Sequence, residues 1–309
     1  MFYLFLAILC SSSIALIFKY SENRKMNRYI VTSINYLTAL TISLLMIINN
    51  HSINFRKISL SSAKFIEEFS YIIYKNNGQL SESTSIIFAV LLGIIGGIFF
   101  FLSFIYYQKS VKENGAALSG TFGKLGILLP MIFSVLLWKE IPKTLQTAGI
   151  LLALFSIIYV NISLKENKKI NMTLILLFIF GGMAEFQNKL FQKYGLIEYK
   201  DLFLFVVFTM AFLFSSYFVL RSVSGSHKSI KGSELLIGFL VGIPNLFSSY
   251  FLIMALNFMP TSAALPIYSA GSIIFISLGE VLLYKAIISK KNKIAIILVV
   301  FAIILINGA

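Results

Sequence analysis

Lys124, Glu185 and Glu280 stand within long apolar runs of this chain, and their side chains are the ones there that can carry full charge chemistry. An ionised group at mid-bilayer costs several kcal/mol unless it is paired or hydrated, so such residues mark functional positions by default. A lysine in that setting suits an anionic group such as a carboxylate. A carboxylate that pairs with it in one conformation and leaves it in another offsets the desolvation cost and lets proton binding shift the balance between conformations. The expected chemistry is recognition of a small solute by Lys124, with Glu185 or Glu280 as the exchanging partner. Hydrogen-bonding residues in the same runs complete the candidate site: Asn35, Tyr36, Asn245, Tyr250, Tyr268 and Ser269 for binding, and Asn188 and Pro244 for gating. Gln187, Ser248, Ser249 and Ser272 lie close by in sequence. Pro244 cannot donate its amide, which frees a carbonyl one turn earlier and lets the helix bend at Asn245. Pro130 and Pro266 are expected to interrupt their runs in the same way.

Enzymatic sets are missing from these runs. The histidines His51 and His227 fall in connections, Asp201 is the single aspartate and Cys10 the single cysteine, so neither a metal cluster nor a Ser-His-Asp set can be assembled there. No Gly-rich phosphate loop ending in Lys-Ser or Lys-Thr is present, which argues against coupling to nucleotide hydrolysis. No cofactor and no metal are expected. Cys10 reads as a small packing residue without redox chemistry. The net charge of +14 is spread over nearly every connection and forms no single basic face, so it reads as membrane anchoring and not as a nucleic-acid surface.

The elements that must position these residues are ten apolar runs, near 2–19, 29–48, 85–107, 115–137, 144–163, 170–188, 202–220, 235–256, 263–284 and 293–308. Each has about the 20 residues a helix needs to cross a bilayer. Inside lipid every backbone amide must be satisfied within its own segment, and the runs are too long and too uniformly apolar for barrel strands, so they are helices. At 12% charged residues and a mean hydropathy of +0.88 the chain lies far from the soluble norm of about 25% charged. The predicted fold class is an all-α integral membrane protein. Placed on these spans at about 1.5 Å per residue, Glu185 lies about 9 Å and Glu280 about 10 Å past the helix midpoints, toward opposite faces. The first run lacks the basic stretch of a secretory signal and reads as a retained helix. The connection 49–84 holds apolar residues at helical spacing over 64–75 and predicts a short surface helix. Gly96-Gly97 and Gly181-Gly182 are expected to allow close helix approach, and Phe99-Phe100-Phe101 to face lipid or pack. Connections after the odd-numbered spans hold 16 Lys and Arg against 9 after the even ones, a modest bias that by the positive-inside rule leans toward both termini outside and leaves the orientation open.

The chain also repeats itself. Ala117 to Asn161 can be laid over Ala263 to Asn307, which sets Trp138-Lys139-Glu140-Ile141 on Tyr284-Lys285-Ala286-Ile287, and Ser11 to Lys19 can be laid over Gly181 to Lys189. The division falls near residue 167, into halves 1–167 and 168–309 of five spans each. An odd number of spans per half inverts the second half relative to the first, the architecture of alternating access around a central site.

The segment Ala116-Ala117-Leu118, Pro130, Lys139-Glu140, Gln146 and Gly149, with Gly242-Ile243-Pro244-Asn245, Tyr250-Phe251, Ala263-Ala264-Leu265-Pro266 and Ser269-Ala270-Gly271-Ser272 in the second half, resembles the EamA-type members of the drug/metabolite transporter superfamily. The resemblance covers essentially the whole chain. It implies a ten-helix 5+5 inverted repeat in the cytoplasmic membrane, moving small organic solutes, often outward, by ion gradients or exchange. It implies partners limited to the solute, the lipid bilayer and a coupling ion such as the proton, in a monomer or homodimer. The sequence departs from the family's pattern at Ala286, where the counterpart of Glu140 has no carboxylate. Many relatives are thought to keep both termini in the cytoplasm, against the charge count. The competing class is a non-transporting membrane protein, a lipid-processing enzyme or a structural subunit, for which charges at several depths have no use.

Overall fold

The structure is a computed structural model and describes all residues except 51–60, 76–77, 115–121, 124, 162–171, 225–229, 286–289 and 308–309. Among the described residues there is no strand. The helices are α1 (Phe2–Asn23), α2 (Arg28–Asn50), α3 (Ser62–Lys75), α4 (Glu82–Asn114), α5 (Leu128–Trp138), α6 (Thr144–Asn161), α7 (Met172–Tyr194), α8 (Lys200–Ser224), α9 (Gly232–Phe258), α10 (Thr261–Tyr284) and α11 (Lys290–Asn307). Seven of them, α1, α2, α4, α7, α8, α9 and α10, are long and apolar enough to cross a membrane. The chain is a multi-pass, all-helical membrane protein.

α3 is the surface helix expected in the long connection. Its Phe69 ring meets Phe88 of α4 and Tyr194 of α7 at 5.5 and 5.9 Å, and Ile72 is buried. Its Glu68 carboxylate accepts the Ser81 amide at 2.7 Å and the Ser81 and Thr84 hydroxyls at 2.9 and 2.7 Å, which caps the start of α4 with negative charge. Burial pushes this carboxyl up, but those three donors hold it below its ordinary value.

The fourth apolar run differs from expectation. Its break lies at Gly126 and Ile127, three residues before Pro130, and Pro130 sits in the first turn of α5, where its missing amide costs nothing. The physical cause is a backbone crossing: a Cβ at Gly126 would lie 2.9 Å from the Gly182 nitrogen of α7, and one at Gly182 would lie 2.4 Å from the Gly126 carbonyl oxygen. α9 and α10 continue as helices through Pro244 and Pro266, so the expected interruption at those two residues is not found. α7 runs six residues past the expected end of the sixth span. Glu185 therefore lies two residues from the middle of α7, about 3 Å along the axis at 1.5 Å per residue, and the 9 Å offset read from the sequence is corrected accordingly.

Helices in lipid gain little by burying apolar faces against one another, so contact depends on close packing at small residues. α1 packs on α9 and α10, α2 on α8 and α9, α4 on α7 and α8, α5 on α7 and α10, α6 on α10 and α11, and α7 on α9. Gly93 and Gly97 of α4 lie against α8, where a Cβ at Gly97 would fall 2.4 Å from Met210 Cβ and 2.6 Å from the Val207 carbonyl oxygen. Gly238 and Gly242 of α9 lie against α2 in the same manner, with a Cβ at Gly242 falling 2.5 Å from Thr38 Cβ and 2.6 Å from the Asn35 carbonyl oxygen.

Gly97→Val and Gly242→Val should each cost about 2 kcal/mol through overpacking. Gly232→Ala, with nothing within 4 Å of the new methyl, should leave stability unchanged. Thermal melting of the purified variants checks this contrast, and equal melting of all three would refute the packing account.

Candidate functional site

Two polar constellations interrupt the apolar packing. The first lies at mid-depth. Asn35 of α2 and Asn245 of α9 are buried and joined by a hydrogen bond, Asn245 Nδ2 donating to Asn35 Oδ1 at 3.0 Å. One turn further along α9, the Ser248 side chain hydrogen-bonds the Tyr268 hydroxyl of α10, as does Ser11 of α1, and Glu185 of α7 lies within electrostatic range of that hydroxyl. Asn188 Nδ2 donates to Glu185 Oε2 at 3.3 Å. Five helices thus contribute polar side chains to this region, with Tyr268 bonded to both α1 and α9. Several buried polar atoms here have hydrogen-bonding capacity to spare: Asn35 Nδ2, Asn188 Oδ1 and the Ser269 hydroxyl have no partner among the described residues. Such groups are costly in an apolar interior unless something polar comes to meet them. Gln187 is buried over Gly96, and both its amide atoms are likewise without a partner among the described residues.

Of the residues expected to bind solute, the structure brings Asn35, Asn245 and Tyr268 into this cluster, together with Glu185 and Asn188 from the gating set. Tyr36 is fully buried elsewhere: its hydroxyl donates to the Phe100 carbonyl at 3.1 Å and its ring packs on Phe104 and Phe208 at 5.6 and 6.3 Å, which makes it a strut between α2 and α4. Tyr250 lies nearer the end of α9, with the Lys200 ammonium 4.9 Å from its ring centre. Lys124 lies outside the described residues, and so does the side chain of Glu280.

The second constellation closes one end of the bundle, here called the Trp138 end. Lys189 of α7 is 3% exposed, and its ammonium pairs with Glu140 at 2.9 Å, donates to Gln192 Oε1 at 3.0 Å and lies 5.3 Å from the Trp138 ring centre. Trp138 Nε1 donates to the Tyr194 hydroxyl at 2.9 Å, and Tyr194 in turn receives Phe69 of α3. Glu140 also accepts the Thr261 amide at the start of α10 at 3.1 Å. The carboxylate is aimed by the chain leaving α5: Lys139 is left-handed at φ 55°, its amide bonds the Val135 carbonyl and the Glu140 amide bonds the Ser134 carbonyl. Burial pushes the Glu140 carboxyl up, but the adjacent Lys189 ammonium and the Thr261 amide hold it below its ordinary value of 4.5.

Sequence reasoning placed Lys189 among the loop anchors, because the sixth span was ended at residue 188. The signal that could have found it is the repeat overlay itself. It sets Lys189 on Lys19 and Trp138 on Tyr284, and in the structure the Lys19 ammonium lies 5.2 Å from the Tyr284 ring centre at the opposite end.

Among solved structures, 27 chains match this one. A crystal structure of a protein among them superposes with a TM-score of 0.66 at 16% identity, over 98% of this chain and 94% of that chain. At that identity the likeness is one of fold alone. No family model and no curated protein matches the chain.

A lowered carboxyl value contributes stability that is in full force above 4.5 and is lost as pH falls through the still lower folded value. Melting temperature should therefore hold steady from neutral pH down to about 5 and drop below that. Glu140→Gln should start lower at pH 7 and lose part of the acid decline, Glu68 supplying the rest. An acid profile identical to that of the parent protein would contradict this assignment.

Proposed function

We propose that the chain is a secondary active transporter that carries a small organic metabolite, amino-acid-like or otherwise polar to amphipathic, across the cytoplasmic membrane by alternating access, in the export direction. The reading includes ten membrane-crossing segments in a 5+5 inverted repeat, of the EamA type within the drug/metabolite transporter superfamily, without catalytic activity. The observation that carries it is the helix pairing. Exchange α1, α2, α4, α5 and α6 for α7, α8, α9, α10 and α11, and α1 on α9 becomes α7 on α4, α2 on α9 becomes α8 on α4, and α1 on α10 becomes α7 on α5, each a pair that packs. The pairs α2 with α8, α5 with α10 and α6 with α11 map onto themselves. The glycine crossings follow the same exchange, Gly93 and Gly97 answering Gly238 and Gly242.

The exchange is incomplete among the described residues: α6 packs on α10 without a matching pair of α11 and α5, and one further difference lies at the centre. α7 packs on α9, whereas the corresponding α1 and α4 pack less closely and leave a small cleft between Phe18, Glu22, Phe104, Tyr107 and Gln108. Two like halves in unlike arrangement are what a carrier resting in one of its two access states presents. The buried polar cluster around Tyr268 and Asn245 supplies hydrogen bonds for a solute at the interface of the halves. Lys124 stands two residues before Gly126 in sequence, and Gly126 meets α7 at Gly182, one turn before Glu185. Lys124, as the charged residue within the fourth apolar run, is the reading's counter-charge for the solute, and Glu185 its coupling carboxylate.

Uptake of labelled amino acids, nucleosides, sugars and amine drugs into proteoliposomes, with and without a pH gradient, tests the reading. At least one class should accumulate. Lys124→Met should abolish the flux in a protein that still inserts and folds, and Glu185→Gln should remove its response to the gradient. Unchanged flux in Lys124→Met would remove Lys124 from the mechanism, and no flux of any class would overturn the carrier.

A further inference from the structure

Lys189 carries a charge that the binding cluster around Tyr268 does not use. Three groups hold its ammonium, and among the described residues Glu140 is the one that balances its charge. Beside the pair opens a cleft of about 320 Å³, lined by Lys193, Gln192, Asn257 and the turn 256–260. Glu140 belongs to the first half of the chain, while Lys189 and Thr261 belong to the second. Separation of the halves at this end therefore breaks both Glu140 contacts together. An ammonium as buried as Lys189, left without a counter-charge, is destabilising by several kcal/mol, so the ion itself opposes opening. An anion in the cleft removes that opposition by taking the place of Glu140.

The two partners are unequally held. Lys189 is fixed by its helix, the indole of Trp138 and Gln192, whereas Glu140 hangs from the short connection between α5 and α6 and its side chain remains 20% exposed. Exchange of one carboxylate for another on a stationary lysine follows from that arrangement. Resting on the carrier reading, we propose that Lys189 is an anion-receiving site at the mouth of the pathway: a solute carboxylate displaces Glu140 from it and so opens the Trp138 end. The need for a carboxylate at this mouth makes Lys189 and Glu140 specificity-determining residues for carboxylate-bearing solutes.

The test uses the full chain in neutral detergent, with sodium acetate as the probe and sodium chloride at equal ionic strength as the control. Glu140→Ala should melt about 10 °C below the parent, as expected for a buried ion pair that has lost one partner. Acetate should restore at least about a third of that loss by binding the folded form. Glu140→Ala/Lys189→Met should show no acetate response. In a second arm Glu140 is kept, Cys10 is replaced by Ser, and a cysteine at Leu256, 3% exposed, reports opening through a membrane-impermeant thiol reagent. Acetate should raise the labelling rate about tenfold, and Lys189→Met should abolish that rise. This arm decides alone if Glu140→Ala does not fold. Acetate without effect overturns the proposal, as does an acetate response that survives Lys189→Met. A response to phosphatidylglycerol and not to acetate also overturns it, assigning the site to a lipid headgroup. Failure of the carrier reading shows separately, as absence of flux in proteoliposomes.

Discussion

Close backbone approach at glycine is the constraint on which this structure depends. In a medium as apolar as the side chains themselves, a helix gains nothing by exchanging lipid for another helix unless the two surfaces meet without gaps. Gly93 and Gly97 let α4 reach α8, Gly238 and Gly242 let α9 reach α2, and Gly126 with Gly182 lets the start of α5 cross α7. Once α2 and α8 are locked in this way, the helices that carry the polar cluster are placed. Asn35 lies on the α2 surface that Gly242 touches, and Asn245 follows Gly242 by one turn, so their hydrogen bond is a consequence of the glycine contact.

The second organising device is electrostatic and local. Helix starts expose unpaired amides with partial positive charge, and carboxylates stabilise them. Glu68 caps α4, Glu234 accepts the Lys231 amide at the start of α9 and the Asn27 amide from the α1–α2 turn, Asp201 in the first turn of α8 accepts Asn50 Nδ2 at the end of α2, and Glu140 accepts Thr261 at the start of α10. Each ties two separate elements together. With only 12 acidic residues in the chain, four used as staples account for a third of the negative charge. Glu140 differs from the other three in adding a buried lysine, which turns a staple into a contact whose strength depends on what else can approach that lysine.

Much of this could be read from the sequence, for reasons that differ by feature. Long apolar runs dictate helices because lipid leaves the backbone no other partner, and α3 was legible because Phe65, Phe69 and Ile72 share one face. The break in the fourth run was expected at Pro130 and lies at Gly126, since a missing amide is tolerated in the first turn of a helix whereas a backbone crossing forces the chain aside. The length of α7 was underestimated because Lys189 and Gln192 look like loop residues when hydropathy alone sets the boundary. Burial of a lysine depends on partners from other elements, here Trp138 and Glu140, and no local pattern contains them. The Asn35–Asn245 bond is hidden for the same reason, 210 residues separating its ends.

On the proposed reading of the chain as an inverted repeat, similar packing in the two halves carries unlike chemistry. The glycine contacts align Asn35 with Val207 and Asn245 with Phe100, so the buried amide pair has apolar side chains as its counterpart in the α4–α8 contact. Gln187 over Gly96 is answered by Ile17 and Val241, which share an apolar cluster. Glu140 is answered by Ala286. Identical halves would give two access states of equal energy, since each is the other seen from the opposite face. Every polar seam present on one side alone breaks that equality, and the state in which the seam is closed gains its bonds without an equivalent loss. The Glu140–Lys189 pair and the Gln192–Asn257 contact hold the Trp138 end together in this conformation, and on the carrier reading such side-chain differences between the halves would set which state the protein rests in.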